Sequence, residues 1–479
     1  DQFAEVRSIV DAARERRTGP TAIIPTGDPK AAVAQGMDHC LERFSVARFS
    51  DILDAALRFG ANELGDLDTD QLRAALLSKA GVITDRYQVT TEQALEEEAT
   101  LLRFARDSLN RFHPLGELQP TPLIESLSEE QRHAVERLAA SANGIGVLIG
   151  DAGTGKTHTL KALNEAHARH AHQCPDGFIA LAPTTRATAE LRANGYPTAA
   201  TVASFLIDKV AQQEAEGRAI LVDEAGLLSS RQMASLVRVA EAQRARLVLV
   251  GDTKQHESVE RGSALRNLLD SRIIDPVRLE SVRRQRKPEH RTLAQLLASG
   301  QAEQAFAHAD SIGLVQEVPH VSRLFKEAAQ HYADAVEAGR ETLVVIPTWD
   351  EIGFFNDEAR RELKRRGLIR GPEVEIAGSA SLSWTVVEKC HWRDYRPGYV
   401  LNFHRSAAGV APGESIRVKE ILHNGLLCEM PDGTTTKITS KQRHAFDVAE
   451  PCKLEIAAGD ALLFRANCPE IGVSRFTNC

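Results

Sequence analysis

Little in this sequence marks it for the outside of a cell, for a membrane or for a structural metal. Its seven cysteines are scattered without a CxxC pair, which fits reduced thiols rather than a disulfide framework. Cys390, His391, Cys428, Cys452 and Cys468 lack the spacing of a zinc knuckle. No apolar run approaches the ~20 residues of a membrane-spanning helix, and there is no signal-peptide pattern. The expectation is therefore a cytoplasmic chain without a membrane segment. Heptads, internal repeats and low-complexity tracts are missing, which excludes coiled coils and solenoids. Positive charge is in deficit, with a net charge of −8. That argues against coating a polyanion by general electrostatics, though not against a narrow channel.

What is present is ordinary globular composition, 43% hydrophobic and 26% charged, in a length that allows three or four domains. One run stands out: Gly150-Asp151-Ala152-Gly153-Thr154-Gly155-Lys156-Thr157, with His158 after it. It follows the apolar segment 145–149 and precedes the helical pattern Leu160, Leu163, Ala166. Strand, glycine-rich turn and helix start are the context a phosphate-binding loop needs. Glycines let backbone N–H groups curl around a polyphosphate, and the helix N-terminus adds positive partial charge. Lys156 would reach the β and γ phosphates and Thr157 would hold Mg²⁺. ATP with Mg²⁺ is the expected ligand.

Further apolar strands end in chemistry-bearing residues. The strand before Asp223-Glu224 would bring two carboxylates beside the loop, Asp223 toward Mg²⁺ and Glu224 toward the attacking water. Residues 247–252 form another buried strand, leading to Gln255, whose amide would face the γ-phosphate. A fourth runs through 179–182 into Pro183, Thr184, Thr185 and Arg186. Functional residues at the carboxyl ends of buried strands mark the ligand edge of a parallel α/β sheet. The cluster His167, His170 and His172 falls at the end of the helix after the loop, where histidines suit the helix dipole. It is read as a solvated helix end.

In order along the chain, these runs resemble the motifs of superfamily 1 helicases of the RecD-like group. Within that group the resemblance is to the helicase part of conjugative relaxase-helicases of the TraI/TrwC type. It covers about residues 30 to 475 and rests on the segment 127–135, the loop 150–157, the runs 182–187 and 201–206, 222–226, 251–264, Leu279 with Arg284-Gln285, and 342–348 followed by Asn356. The resemblance implies that Gln131 reads adenine, and that Gln255 and Arg284 sense the γ-phosphate from opposite sides. It implies DNA contacts by Pro183, Thr184, Thr185, Arg186, Thr201, Ser204, Pro347, Thr348 and Asn356. It implies an ATP-driven, 5′-to-3′ motor on single-stranded DNA serving plasmid transfer. The partners would be a covalently linked relaxase domain and the conjugation machinery, and the chain would be a monomer. One rival is a degenerate copy that holds DNA without translocating; the intact Lys156, Asp223, Glu224 and Gln255 argue against it. The other is a RecD-type repair subunit.

The expected fold is α/β: tandem RecA-like P-loop motor domains, an N-terminal helical and winged-helix-like domain, and an inserted SH3-like β-barrel. Residues 1–118 would form the first unit, with helical period through Ile52, Ala56, Leu72 and Leu76, a strand pair turning near Asp85-Arg86, and a helix over 91–109. Pro114, Pro120 and Pro122 mark the linker into a first motor domain, 119–276. A second, 277–375 with 466–479, would use 342–347 as a central strand and 351–366 as its helix. Short strands over 399–404, 415–421, 426–430 and 461–465, with a tight turn at Pro431-Asp432-Gly433, would form the barrel, 376–465. Basic clusters at Arg283, Arg284, Arg286, Lys287 and Arg291 and at Lys364, Arg365 and Arg366 are either phosphate contacts or solvated faces. Two departures from the family stand out. The thirty residues before Asp223 carry no hairpin signal. The family's last motifs would fall beyond Cys479, so the second motor domain is expected to be incomplete and the chain to be a piece of a longer protein. A relaxase nucleophile is lacking, since the first 80 residues contain no tyrosine.

Overall fold

The computed structural model describes residues 28–64, 69–85, 87–151, 153–170, 177–252, 258, 261–281 and 287–462. Three helices open it: Pro29–Arg43, Phe49–Leu64 and Thr69–Leu77. Asp28 caps the first by accepting from the Lys30 N–H at 2.9 Å, one of the donors a helix start leaves unpaired. The apolar residues that keep helical period, Val33, Ile52, Ala56, Leu72 and Leu76, are fully buried together. Strands β1 (Ala47–Arg48), β2 (Val82–Thr84) and β3 (Gln88–Thr91) form an antiparallel sheet in the order β1-β3-β2. Thr91 then caps the helix Glu92–Asp107. The inner face of that helix, Leu101, Phe104 and Ala105, belongs to the core of the next unit.

That unit is a six-stranded, all-parallel sheet. Its strands are β4 (Ile145–Gly150), β5 (Ile179–Ala182), β6 (Ala200–Thr201), β7 (Ala219–Val222), β8 (Arg246–Gly251) and β9 (Val277–Leu279). The order is β6-β5-β7-β8-β4-β9. Every residue of β4, β7 and β8 is buried, as a sheet covered by helices on both faces requires. One core forms on each face. The residues between β5 and β7 form the helix Thr185–Ala193, β6 and the short helices Val202–Ile207 and Lys209–Gln213.

Four helices follow: Pro288–Ala298, Ala302–Ser311, Val321–Glu337 and Trp349–Arg365. The strand expected over 342–347 is not formed. Val344 and Ile346 pack against Ala329, Phe355 and Ala359, while Leu343 and Val345 are 87% and 85% exposed. The segment has the alternation of a strand, but no strand lies beside it among the described residues, and a ladder needs a partner.

An antiparallel sheet closes the described chain. Its strands are β10 (Arg370–Ser381), β11 (Val400–Phe403), β12 (Ser415–Leu422), β13 (Gly425–Glu429), β14 (Thr435–Ile438) and β15 (Phe446–Ala458), in the order β10-β15-β11-β12-β13-β14. Trp392, Tyr395, Leu401, Ile416, Leu426 and Phe446 fill its core. At the expected turn, the Gly433 N–H donates to the Met430 carbonyl at 3.0 Å. The strand expected over 461–465 is a correction: Ala461 and Leu462 are not in a strand, and the remainder lies outside the described residues.

Two further corrections concern charge. His167 is not solvated: it is 8% exposed, stacks on Phe178 and bonds through Nδ1 to the Leu115 carbonyl at 3.0 Å. His172 and the side chain of His170 lie outside the described residues. The run Lys364–Arg366 is not a free basic face. Lys364 bonds to Glu373, Arg365 to Glu362, and Arg366 to Glu362, Asp334 and Glu337. Arg283, Arg284 and Arg286 lie outside the described residues.

Candidate nucleotide-binding site

Because all six strands run the same way, their carboxyl ends meet at one edge. β4 delivers the loop 150–156 there, β7 delivers Asp223 and Glu224, and β8, which lies between them, delivers Asp252. Gly153 and Gly155 have φ of +85° and +88°, the left-handed region that glycine enters without cost. At Gly155 space decides as well, since a Cβ would lie 2.3 Å from Gln131 Nε2. The loop thus demands glycine on two independent counts.

Gln131 is 3% exposed. Its Nε2 donates to the carbonyls of Thr154 and Gly155 at 3.4 and 3.5 Å, and its Oε1 accepts from the Ser128 N–H at 3.2 Å. The residue expected to read adenine therefore braces the underside of the loop and closes a capping box on the helix Glu129–Ala140. The Thr154 hydroxyl donates to the Asp151 carbonyl at 2.9 Å. The Lys156 ammonium donates to the carbonyls of Gly150 and Asp151, lying along the loop. Thr157 is exposed on the first turn of the helix Lys156–His170, and the next residue, His158, shares a 2.8 Å hydrogen bond with Ser126. Ala152, Gln255 and Arg284 lie outside the described residues.

The charges are unbalanced. Burial pushes the Lys156 ammonium below its usual value, against the fields of Asp252, Asp223, Asp151 and Glu224. Burial holds the Asp223 carboxyl above the usual range, offset by the Glu224 N–H donating to it at 2.9 Å and by Lys156. Glu224 is also raised, first by burial, then by Asp223 and Glu190. Its backbone is left-handed, φ +51°, a conformation that costs a non-glycine residue about 1–3 kcal/mol and gathers at functional sites. Four carboxylates around one lysine fit a polyphosphate only with a divalent cation. Mg²⁺ in such sites is shared between one or two protein ligands and phosphate oxygens. Thr157 and Asp223 fit that part.

Asp223 supplies a signed test. Its raised folded pKa means its contribution to stability is present below the unfolded value and lost as pH rises through the folded one. Burial therefore penalises its ionised form, and that cost is felt as pH rises. Asp223→Asn is expected to melt higher than the parent at pH 7.5 in a chelator, with the difference vanishing below about pH 4. Melting curves across that range check it.

At the same edge, Thr184 caps the helix Thr185–Ala193 and Thr201 caps the helix Val202–Ile207 by accepting from the Ser204 N–H at 3.1 Å. Thr185, Arg186 and Ser204 are exposed, and Pro183 is half-buried. Arg186 reaches Glu190 at 3.5 Å, with its side chain 86% exposed. Pro347, Thr348 and Asn356 lie on the helical unit, exposed, Thr348 as the cap of Trp349–Arg365. Asp252 closes a run that the sequence singled out, but its field on Lys156 shows only in the structure. Sequence reasoning missed two residues. Glu190 carries no motif signal of its own and enters through the field it exerts on Asp223 and Glu224. Trp349, 85% exposed beside Thr348, could have been noticed as an aromatic next to a candidate contact.

Residues 126–320 match the AAA domain family. Three relatives are similar in sequence. Conjugal transfer protein TraA of Agrobacterium fabrum (strain C58 / ATCC 33970) is 30% identical over 51% of this chain and 22% of its own length. Multifunctional conjugation protein TraI of Escherichia coli (strain K12) is 28% identical over 47% of this chain and 13% of its own length. RecBCD enzyme subunit RecD of Mycobacterium tuberculosis (strain CDC 1551 / Oshkosh) is 34% identical over 46% of this chain and 41% of its own length. The chain thus spans less than half the length of each of these relatives. The parallel sheet with its glycine-rich loop defines an α/β protein, and in sequence it is similar to conjugal transfer proteins of the TraA and TraI kind and to RecD subunits. No helix among the described residues is long and apolar enough to cross a membrane.

Proposed function

We propose that the chain is an ATP-driven motor on single-stranded DNA, part of a larger protein of conjugative plasmid transfer. The observation that carries this is the meeting of Lys156, Asp223, Glu224 and Asp252 at the edge that also presents Thr185, Arg186 and Thr201. Nucleotide chemistry and the candidate DNA contacts share one set of strand ends, so a change at one is felt at the other.

In the proposed reaction the loop N–H groups hold the polyphosphate and Lys156 neutralises its charge. Mg²⁺, held by Thr157 and Asp223, would supply further charge neutralisation at the phosphate oxygens. Water attacks the γ-phosphorus, the bond to the bridging oxygen breaks, and ADP and phosphate leave. Glu224 orients that water and accepts its proton, a task its raised pKa suits. Gln255 and Arg284 are proposed to sense the γ-phosphate. Opening and closing of the cleft would shift Thr185, Arg186 and Thr348 along the DNA backbone, 5′-to-3′ as in the family.

The helices and β1-β3-β2 sheet of the N-terminal unit support a winged-helix-like reading within 1–118. The antiparallel sheet supports an SH3-like insert over about 376–465. The motor domains would be 119–276 and 277–375 with 466–479. A linked relaxase domain is the proposed partner beyond DNA and ATP.

Binding to oligo-dT should exceed binding to blunt duplex and fall steeply with salt. Trp384 and Trp392 line the antiparallel core, so Trp349 is the exposed reporter. Oligo-dT should quench its fluorescence, and Trp349→Ala should weaken binding by about 1–3 kcal/mol if a base stacks there. Equal anisotropy titrations for single strand and blunt duplex at fixed salt would count against the reading. DNA-stimulated ATP hydrolysis tests the whole.

A further inference from the structure

Arg261 stands just past the run that begins at Gly251-Asp252, and it is 7% exposed. Its guanidinium grips Glu97 of the helix Glu92–Asp107, through Nε at 3.2 Å and a terminal nitrogen at 2.7 Å. Glu97 is itself 4% exposed, and its other oxygen accepts from Gln93 at 2.9 Å with the Arg231 Nε at 3.7 Å. Taking two ions out of water costs several kcal/mol each, and their attraction often only offsets that cost. A buried pair is therefore poor evidence of a stability device and better evidence of one that fixes register.

The backbone of Arg261 makes two further ties. Its N–H donates to the Glu42 carbonyl at 3.3 Å, at the end of the helix Pro29–Arg43, and its carbonyl accepts from the Ser230 N–H at 3.2 Å. The Glu42 carboxylate in turn accepts from the Val386 N–H of the antiparallel unit at 3.4 Å. Ser230 opens the helix that follows Glu224 by six residues. The seat is close-fitting: Gly262 has φ +91°, and a Cβ there would lie 2.0 Å from the Ser230 hydroxyl. Arg231 and Arg261 also line a cavity of about 1340 Å³ between the N-terminal and antiparallel units.

We propose that Arg261, through Glu97, is a positioning residue that couples the N-terminal helical unit to the nucleotide site. The coupling runs between the end of β7, through Ser230 of the helix Ser230–Ala242, on one side and the helices Pro29–Arg43 and Glu92–Asp107 on the other. It rests on the nucleotide reading above and adds a regulatory input to it: what the N-terminal unit or the cavity holds is transmitted to the Asp223-Glu224 turn, and nucleotide is felt in return.

The test uses the whole chain with Glu97→Gln, Arg261→Met and the double variant Glu97→Met with Arg261→Met. The apolar pair refills the site, and such replacements are often neutral or stabilising, so the double variant keeps the test open if a single one misfolds. Amide hydrogen exchange across Glu92–Asp107 is measured with and without a saturating non-hydrolysable ATP analogue and Mg²⁺. In the parent the analogue should change exchange by about fivefold or more. The double variant should bind the analogue, melt near the parent and lose that change. Its turnover should drop about tenfold with KM for ATP within about twofold, the pattern of a lost transition-state interaction. Exchange that does not respond in the parent overturns the coupling. So does a double variant that keeps both response and turnover, since the pair is then only structural. No analogue binding by calorimetry in the parent strikes the nucleotide reading itself, and the inference falls with it.

Discussion

Glu224→Gln is expected to bind ATP as the parent does and to lose DNA-stimulated turnover by about 10²–10⁴-fold, the range a positioned general base contributes. The carboxylate sits at the end of β7 on a left-handed residue, raised by burial, by Asp223 and by Glu190. A glutamine keeps the size and the backbone strain but can neither take a proton nor hold water in the same sense. Binding of a fluorescent ATP analogue separates the two quantities from steady-state hydrolysis. Turnover at the parent rate would mean that another group orients the water.

Lys156→Ala is expected to fail one step earlier, at binding. In the parent, one ammonium faces Asp252, Asp223, Asp151 and Glu224. Without it a polyphosphate meets four carboxylates and no fixed cation. Truncating one partner of a desolvated charge pair costs about 2–5 kcal/mol, so ATP affinity should fall by about 30-fold to several thousand-fold. Oligo-dT binding without nucleotide should change little, because Thr185 and Arg186 open the helix after β5 and Thr201 ends β6, away from the loop that follows β4. Calorimetry for ATP and anisotropy for oligo-dT distinguish this from general unfolding, which would abolish both.

The glycine-rich loop and the acids beside it were legible because they are local. A strand, a glycine turn and a helix start are written within fifteen residues, and β7 and β8 are continuous apolar runs ending in acids. The brace that Gln131 makes under the loop was not legible, since it depends on the Gly155 gap. The long ribbon of β10 and β15 was missed for a local reason. Gly371, Pro372 and Gly378 interrupt one strand and Pro451 the other, and such residues argue against a strand in sequence. The segment 342–347 failed in the opposite direction: its alternation is real, but strand formation depends on a neighbour that the pattern does not contain. His167 misled because a polar residue at a helix end gives no sign of the Leu115 carbonyl, fifty-two positions away, that accepts it. The Arg261–Glu97 pair, 164 positions apart, has no sequence signal at all.

The central claim is that one chain couples nucleotide to single-stranded DNA. The most direct measurement is the Kd for oligo-dT at fixed salt, with and without a saturating non-hydrolysable ATP analogue and Mg²⁺. Linkage requires each ligand to change the affinity of the other by the same factor. The account predicts a change of about fivefold or more, absent in Lys156→Ala. Identical Kd values in the parent, with the analogue proven bound, would contradict it.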